Sequence, residues 1–232
     1  MIGLFDSGVG GVNALREIHK LLPGESLMLL CDYADAPYGT KSEEKIIPII
    51  EENVRRLAAA GAEKILIACC TASAHYRALS EKARALSIPI IAPTARAAIA
   101  ASQNKKIAVL ATELTVRSHA FGEELGTTDF LEIEAGELVF AAEAAELGRT
   151  WDGEESDLCE KAESPREELY TVIDRLTDRV AELGADTLIL GCTHFHSLIP
   201  VIAPVAREKG IKKIISSARE GALELARILK MI

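Results

Sequence analysis

The chain has 232 residues, room for one large or two small α/β domains. Its net charge of −9 argues against nucleic acid or an anionic membrane as a bulk partner, and no stretch approaches the roughly 18 apolar residues of a membrane helix. The opening Met1-Ile2-Gly3-Leu4-Phe5-Asp6 lacks the basic start and cleavage site of a secretion signal, so the cytoplasm is the expected location.

In chain order, residues 2–5 form a short apolar run, followed by Asp6-Ser7-Gly8-Val9-Gly10-Gly11 and a helical pattern to about Leu22. Residues 26–31 read as a second strand. Ser42 can cap a helix whose Ile46, Ile47, Ile50, Val54 and Leu57 recur at helical spacing, with Pro48 in its early turns and Gly61 near its end. Residues 64–68 are the next apolar strand, ending at Cys69-Cys70-Thr71. Residues 90–92, between Pro89 and Pro93, read as another short strand.

The pattern then starts again. Ile107-Ala108-Val109-Leu110-Ala111-Thr112 resembles the run from Ile2 to Ser7 at an offset of 105, and a second cysteine strand, Leu188 to Gly191 before Cys192-Thr193-His194, lies 123 residues beyond the first. Between them, Ser164-Pro165-Arg166-Glu167 is a helix start with Ser as cap and Pro in the first turn. Leu169, Val172, Ile173, Leu176, Val180 and Leu183 make one face of that helix, and Gly184 ends it. A last amphipathic helix follows Ser217, with Glu220 completing a capping box. Alternating β and α units predict an α/β fold of mostly parallel sheets flanked by helices, and the repeat suggests two pseudo-symmetric domains. The expected division is residues 1–94 plus 210–232 against residues 95–209.

The chemistry should lie past the carboxyl ends of buried parallel strands. Asp6-Ser7-Gly8-Val9-Gly10-Gly11 occupies such a place, but its spacing fits neither a phosphate loop nor a dinucleotide fingerprint. An acid there suits an ammonium group or the proton relay of a thiol. The five cysteines are 31, 69, 70, 159 and 192, an odd number without a repeated framework, so free thiols are expected. Cys69 and Cys192 stand at matching strand ends, each near a Thr, and Cys192 is two residues from His194. Cys31 reads as strand core and Cys159 as an exposed helix residue. His75 reads as a surface residue at a helix start, and His196 as a loop residue near His194. No four residues have zinc-type spacing, so no metal is expected. Nothing around Lys41 supports a pyridoxal Schiff base.

Taken together, Phe5 through Gly11, Pro37-Tyr38-Gly39-Thr40-Lys41-Ser42, Ala68-Cys69-Cys70-Thr71-Ala72-Ser73-Ala74 and Gly191-Cys192-Thr193-His194 resemble, in the same order, the motifs of cofactor-independent glutamate racemases. Weaker resemblance at Pro93 through Ala98 and at Thr112 through Val116 extends this over nearly the whole chain.

The resemblance implies a substrate clamped between two domains. One thiolate removes the α-proton while the opposite thiol delivers another, without a cofactor. By that resemblance Cys69 deprotonates the D enantiomer and Cys192 the L enantiomer, Asp6 and His194 assist them, and Glu143 is an acidic residue near the second thiol. Ser7, Tyr38, Gly39, Cys70, Thr71, Thr112, Thr115 and Thr193 match substrate-holding positions. The family role is supply of D-glutamate for peptidoglycan. Three departures stand out. Cys70 replaces an Asn, Phe195-His196 replaces Tyr-Pro, and Ala135-Gly136 replaces Cys-Pro. Racemisation of aspartate or another amino acid, and a non-catalytic binding paralogue, are the alternative readings. The expected partner is a small amino acid, and a homodimer stays open.

Overall fold

The computed structural model describes residues 1–126, 128–147 and 164–230. The first half runs β1 (Ile2–Asp6), α1 (Gly11–Leu21), β2 (Leu27–Cys31), α2 (Glu43–Ala59), β3 (Lys64–Ile67), α3 (Cys70–Ala74), α4 (Glu81–Leu86) and β4 (Ser87–Pro89). Then follow α5 (Ile91–Ala101), β5 (Lys106–Ala111), α6 (Glu113–Arg117), α7 (Ala120–Leu125), β6 (Asp129–Glu134) and α8 (Leu138–Leu147). The chain ends with α9 (Ser164–Glu182), β7 (Thr187–Gly191), α10 (Ile199–Glu208), β8 (Lys213–Ser216) and α11 (Ser217–Lys230).

Among the described residues, the strands form two four-stranded parallel sheets, ordered β2-β1-β3-β4 and β6-β5-β7-β8. The second order is the first shifted by four strands, which is the pseudo-symmetry the repeated apolar runs imply. In each sheet the chain reverses direction of growth between two adjacent central strands: β1 and β3 in one, β5 and β7 in the other. Loops leave such a pair in opposite directions and open a crevice at the carboxyl ends. Asp6 and Cys69 emerge from the first reversal point, and Thr112 and Cys192 from the second.

Helices cover both faces of the sheets. Ile2, Leu4, Ala14, Ile18, Leu66 and Ile88 pack with Ala218, Ala222 and Leu225 of α11, so the C-terminal helix returns to the first sheet. Ala95 and Ala98 of α5 pack against Ile107, Val109 and Ile189 of the second. Where α11 passes the start of α5, a Cβ at Gly221 would sit 2.7 Å from Ile90, so the close approach requires glycine.

Three sequence expectations need correction. Residues 90–92 are not a strand; Ser87–Pro89 pairs with β3 instead, and Pro93 occupies the first turn of α5, where a missing N–H leaves no bond unmade. The return to the first half is not at 210, because β8 still pairs with β7 in the second sheet; the chain crosses back at Ser217. The 94/95 boundary falls inside α5. Ser42 does occupy the cap position of α2, though its hydroxyl makes no capping bond. At α11, the Ser217 hydroxyl donates to the Leu190 carbonyl. Helix α9 begins at Ser164 and ends before Gly184, which takes φ +69°; the capping side chains at 164–166, like Cys159, lie outside the described residues.

Candidate active site

A cavity of about 560 Å³ opens between the carboxyl edges of the two sheets and takes in both Cys69 and Cys192. That volume suits a small metabolite. Ser7, Tyr38, Gly39 and Thr71 line it from the first half; Thr112, Glu143, Thr193 and His194 line it from the second. Tyr33 and Phe140, the former 60% and the latter 78% exposed, also line it, one from each half of the chain.

Behind Cys69 runs a chain of polar groups. The thiol donates to the Ser7 hydroxyl at 3.7 Å, and that hydroxyl donates to Asp6 Oδ1 at 3.4 Å. Asp6 is fully buried and does not touch the cavity. Oδ1 also accepts the Gly8 N–H at 3.1 Å, and Oδ2 accepts the Thr193 hydroxyl at 2.7 Å. The carboxylate therefore reaches Cys69 through Ser7 rather than directly.

Behind Cys192 the arrangement is different. Its Sγ lies 3.5 Å from His194 Nδ1, and His194 Nε2 lies 3.3 Å from Glu143 Oε1. The same Nε2 lies 3.3 Å from the Gly10 N–H. These two contacts make opposite demands. Gly10 needs a lone pair on Nε2, which puts the ring proton on Nδ1, facing sulfur; the Glu143 carboxylate needs a proton on Nε2. Moving between the two states is equivalent to handing a proton along the Cys192–His194–Glu143 line. A Cβ at Gly10 would stand 2.5 Å from His194 Nδ1, so this glycine makes room for the ring.

Both thiols are held in their neutral form. Burial pushes Cys69 up to about 11, helped by the Asp6 charge and opposed by the Ala72 N–H and by the hydroxyl and N–H of Ser7. Burial pushes Cys192 well above the ordinary thiol value, with the Cys70, Cys69 and Asp6 charges adding to it and the His194 N–H opposing. A thiolate here needs incoming positive charge or a base close by.

Three further hydroxyls form a triangle. Thr71 Oγ1 lies 2.9 Å from Thr112 Oγ1 and 3.1 Å from Thr115 Oγ1, and Thr112 and Thr115 are 2.9 Å apart. Thr115 is fully buried and off the cavity, so it braces the two hydroxyls that line it. Gly39 packs on Thr112, with 3.1 Å from a built Cβ to the Thr112 Cβ.

Of the expected substrate-holding residues, Cys70 and Thr115 lie off the cavity, and the Tyr38 hydroxyl has other partners. Cys70 does not line the cavity; it starts α3 and lies in the core beside Ile90, Ala95 and Val109. Cys69 is the extended residue before α3 and Cys70 the first residue of the helix, and only Cys69 lines the cavity. Tyr38 does line the cavity, but its hydroxyl is taken by Asp32 Oδ2 at 2.5 Å and Asn53 at 2.8 Å. His75 is not on the surface: it is 6% exposed, its Nε2 has no hydrogen-bond partner, and burial pushes its pKa down. His196 bonds Ser216 at 2.7 Å. Cys31 is half-buried on the edge strand, and burial and the Asp6 charge raise it to about 11. Among the described residues, no three His, Cys, Asp or Glu are grouped to hold a metal, and no helix is long and apolar enough to cross a membrane. Gly10, Asn13, Asp32 and Asn53 support the site without having been legible as site residues in the sequence.

With this geometry in view, comparisons with known proteins converge. Residues 2–224 match the family described as Asp/Glu/Hydantoin racemase. The chain is 39% identical over 203 residues to a glutamate racemase of Cupriavidus pinatubonensis, covering 87% of this chain and 69% of that protein. It is 34% identical over 229 residues to one from Acidothermus cellulolyticus, covering 98% and 81%. The crystal structure of glutamate racemase isoform RacE1 from Bacillus anthracis superposes with a TM-score of 0.85 at 30% identity, covering all of this chain and 82% of that one.

Proposed function

Since the chain belongs to the Asp/Glu/Hydantoin racemase family, we propose that it interconverts L- and D-glutamate by proton transfer between Cys69 and Cys192, and that the D-glutamate feeds peptidoglycan synthesis. The observation that carries this reading is that two thiols, from the reversal points of two separate sheets, line one cavity.

The α-hydrogen of an amino acid is a very weak acid, and inversion exchanges protons on opposite faces of one carbon. Two acid–base groups facing each other do this without a cofactor, where one base would have to cross the substrate. With L-glutamate, the Cys192 thiolate takes the α-proton, and the Cα–H electron pair moves into the carboxylate as an enolate-like dianion. The Cys69 S–H then donates to the other face, leaving Cys69 as thiolate. The D substrate runs the reverse. The substrate ammonium supplies the positive charge that lets one buried thiol ionise, and Thr71 and Thr112, whose hydroxyls line the cavity and are not committed to Asp6, are the donors we assign to its carboxylates.

The test is deuterium incorporation at Cα in D₂O across a panel of amino acids. Exchange and inversion of glutamate are expected. If aspartate or another amino acid exchanges while glutamate does not, the substrate assignment falls.

A further inference from the structure

Asn13 stands on α1, which packs on the first sheet, yet its side chain serves the second thiol's segment. It is 2% exposed and off the cavity. Its Nδ2 donates to the Thr193 main-chain carbonyl at 3.0 Å and to the Ser197 hydroxyl at 3.0 Å, and the Ser197 hydroxyl lies 3.3 Å from its Oδ1. A carbonyl only accepts, which fixes the orientation of the amide. Residues 193–198 form a tight 3₁₀ turn directly after Cys192, so one side chain grips both ends of the segment that carries the thiol's neighbours.

We propose that Asn13 is a positioning residue for the Cys192 half of the reaction, a proposal that rests on the racemase reading. The peptide it holds lies between Cys192 and His194, whose Sγ–Nδ1 separation of 3.5 Å leaves little slack for proton transfer. Asn13 is neutral, so it sets geometry without adding charge. On the Cys69 side, Asp6 shares its Thr193 contact with the Gly8 N–H and the Ser7 hydroxyl of its own strand end, so two of its three partners stay in place when the 193–198 turn loosens. Loosening the 193–198 turn therefore slows transfers at one sulfur more than at the other.

The equilibrium constant of a racemisation is unity, so any variant loses kcat/KM equally in both directions. Direction shows instead in isotope effects. Asn13→Ala is expected to lower kcat/KM about tenfold, as misplacement of reacting groups by a fraction of an ångström does. With α-deuterated L-glutamate, cleavage at Cys192 becomes more rate-limiting and the isotope effect on kcat/KM rises. With α-deuterated D-glutamate, the later reprotonation by Cys192 becomes limiting and the isotope effect falls. Asn13→Ser, which keeps a shorter donor, moves both the same way by less.

Isotope effects do not depend on the fraction of enzyme folded, so partial misfolding leaves the readout intact. Variants that lose rate while both isotope effects stay at wild-type values, or move together, overturn the positioning role. Wild-type protein inert toward both deuterated substrates overturns the racemase reading itself, and is told apart by the absence of any turnover to compare.

Discussion

Thr193, the residue next to Cys192, donates its hydroxyl to Asp6, the carboxylate behind Cys69, at 2.7 Å. The Gly10 N–H, from the loop that follows Asp6, reaches back to His194 at 3.3 Å. Each thiol's supporting group is thus held in part by the opposite half of the molecule, and the two half-sites are tied to each other before substrate arrives.

Removing the Thr193 hydroxyl with Thr193→Val keeps the shape and leaves one oxygen of a fully buried carboxylate short of its donor. The expected cost is about 1–3 kcal/mol in stability. Turnover should fall about 10–100-fold, because Asp6 is free to turn away from Ser7. Urea denaturation together with steady-state kinetics checks both; unchanged turnover would show that Asp6 is held well enough by Gly8 and Ser7 alone.

Gly10→Ala places a methyl group 2.5 Å from His194 Nδ1 and 2.8 Å from Thr193 Oγ1, both of which must shift. Turnover is expected to drop about 100-fold or more, with a smaller change in KM. A kcat within a factor of two of wild type would mean that the His194 position is not critical.

Tyr38→Phe separates a structural hydroxyl from a substrate contact. That oxygen is buried against Asp32 and Asn53, which keep their own bond at 2.8 Å, so its loss takes one donor from the Asp32 carboxylate and should destabilise the fold by about 1 kcal/mol. KM for glutamate should stay within about threefold of wild type, since a tenfold change would require about 1.4 kcal/mol of direct contact. A tenfold rise in KM would place the hydroxyl on the substrate after all.

The buried thiols also make stability depend on alkaline pH. Cys69 is raised from 9.0 to about 11 in the folded chain, and Cys192 is raised as well. Below pH 9 both states keep the proton and stability is at its full value. Between pH 9 and 11 the unfolded chain ionises while the folded one does not, so stability falls as pH rises, by on the order of 1.4 kcal/mol per pH unit for each such thiol. Urea midpoints measured from pH 7 to 10.5 should decline, and decline less steeply in Cys69→Ser. Equal slopes would show that Cys69 is not raised.

The layered architecture and the two cysteine strands were legible because buried parallel strands are continuous apolar runs with the site just past their ends. Local pattern failed where packing between distant segments decides. Cys70 matches a site motif, but the first turn of α3 rotates it into the core. His75 sits at the end of a five-residue helix, too short for a period to reveal its buried side. Ile90 to Ala92 is as apolar as a strand, yet β3 finds its partner three residues earlier. Asn13 and Gly10 act on residues 180 and 184 positions away, and nothing in their own neighbourhoods marks that.

The most direct test of two thiols acting on opposite faces of one carbon is where solvent deuterium lands early in the reaction. With unlabelled L-glutamate in D₂O at low conversion, deuterium is expected at Cα of the D product and not in the recovered L substrate, and the mirror result is expected from D-glutamate. Deuterium appearing equally in recovered substrate and product would mean that a single base serves both faces, and would contradict the account.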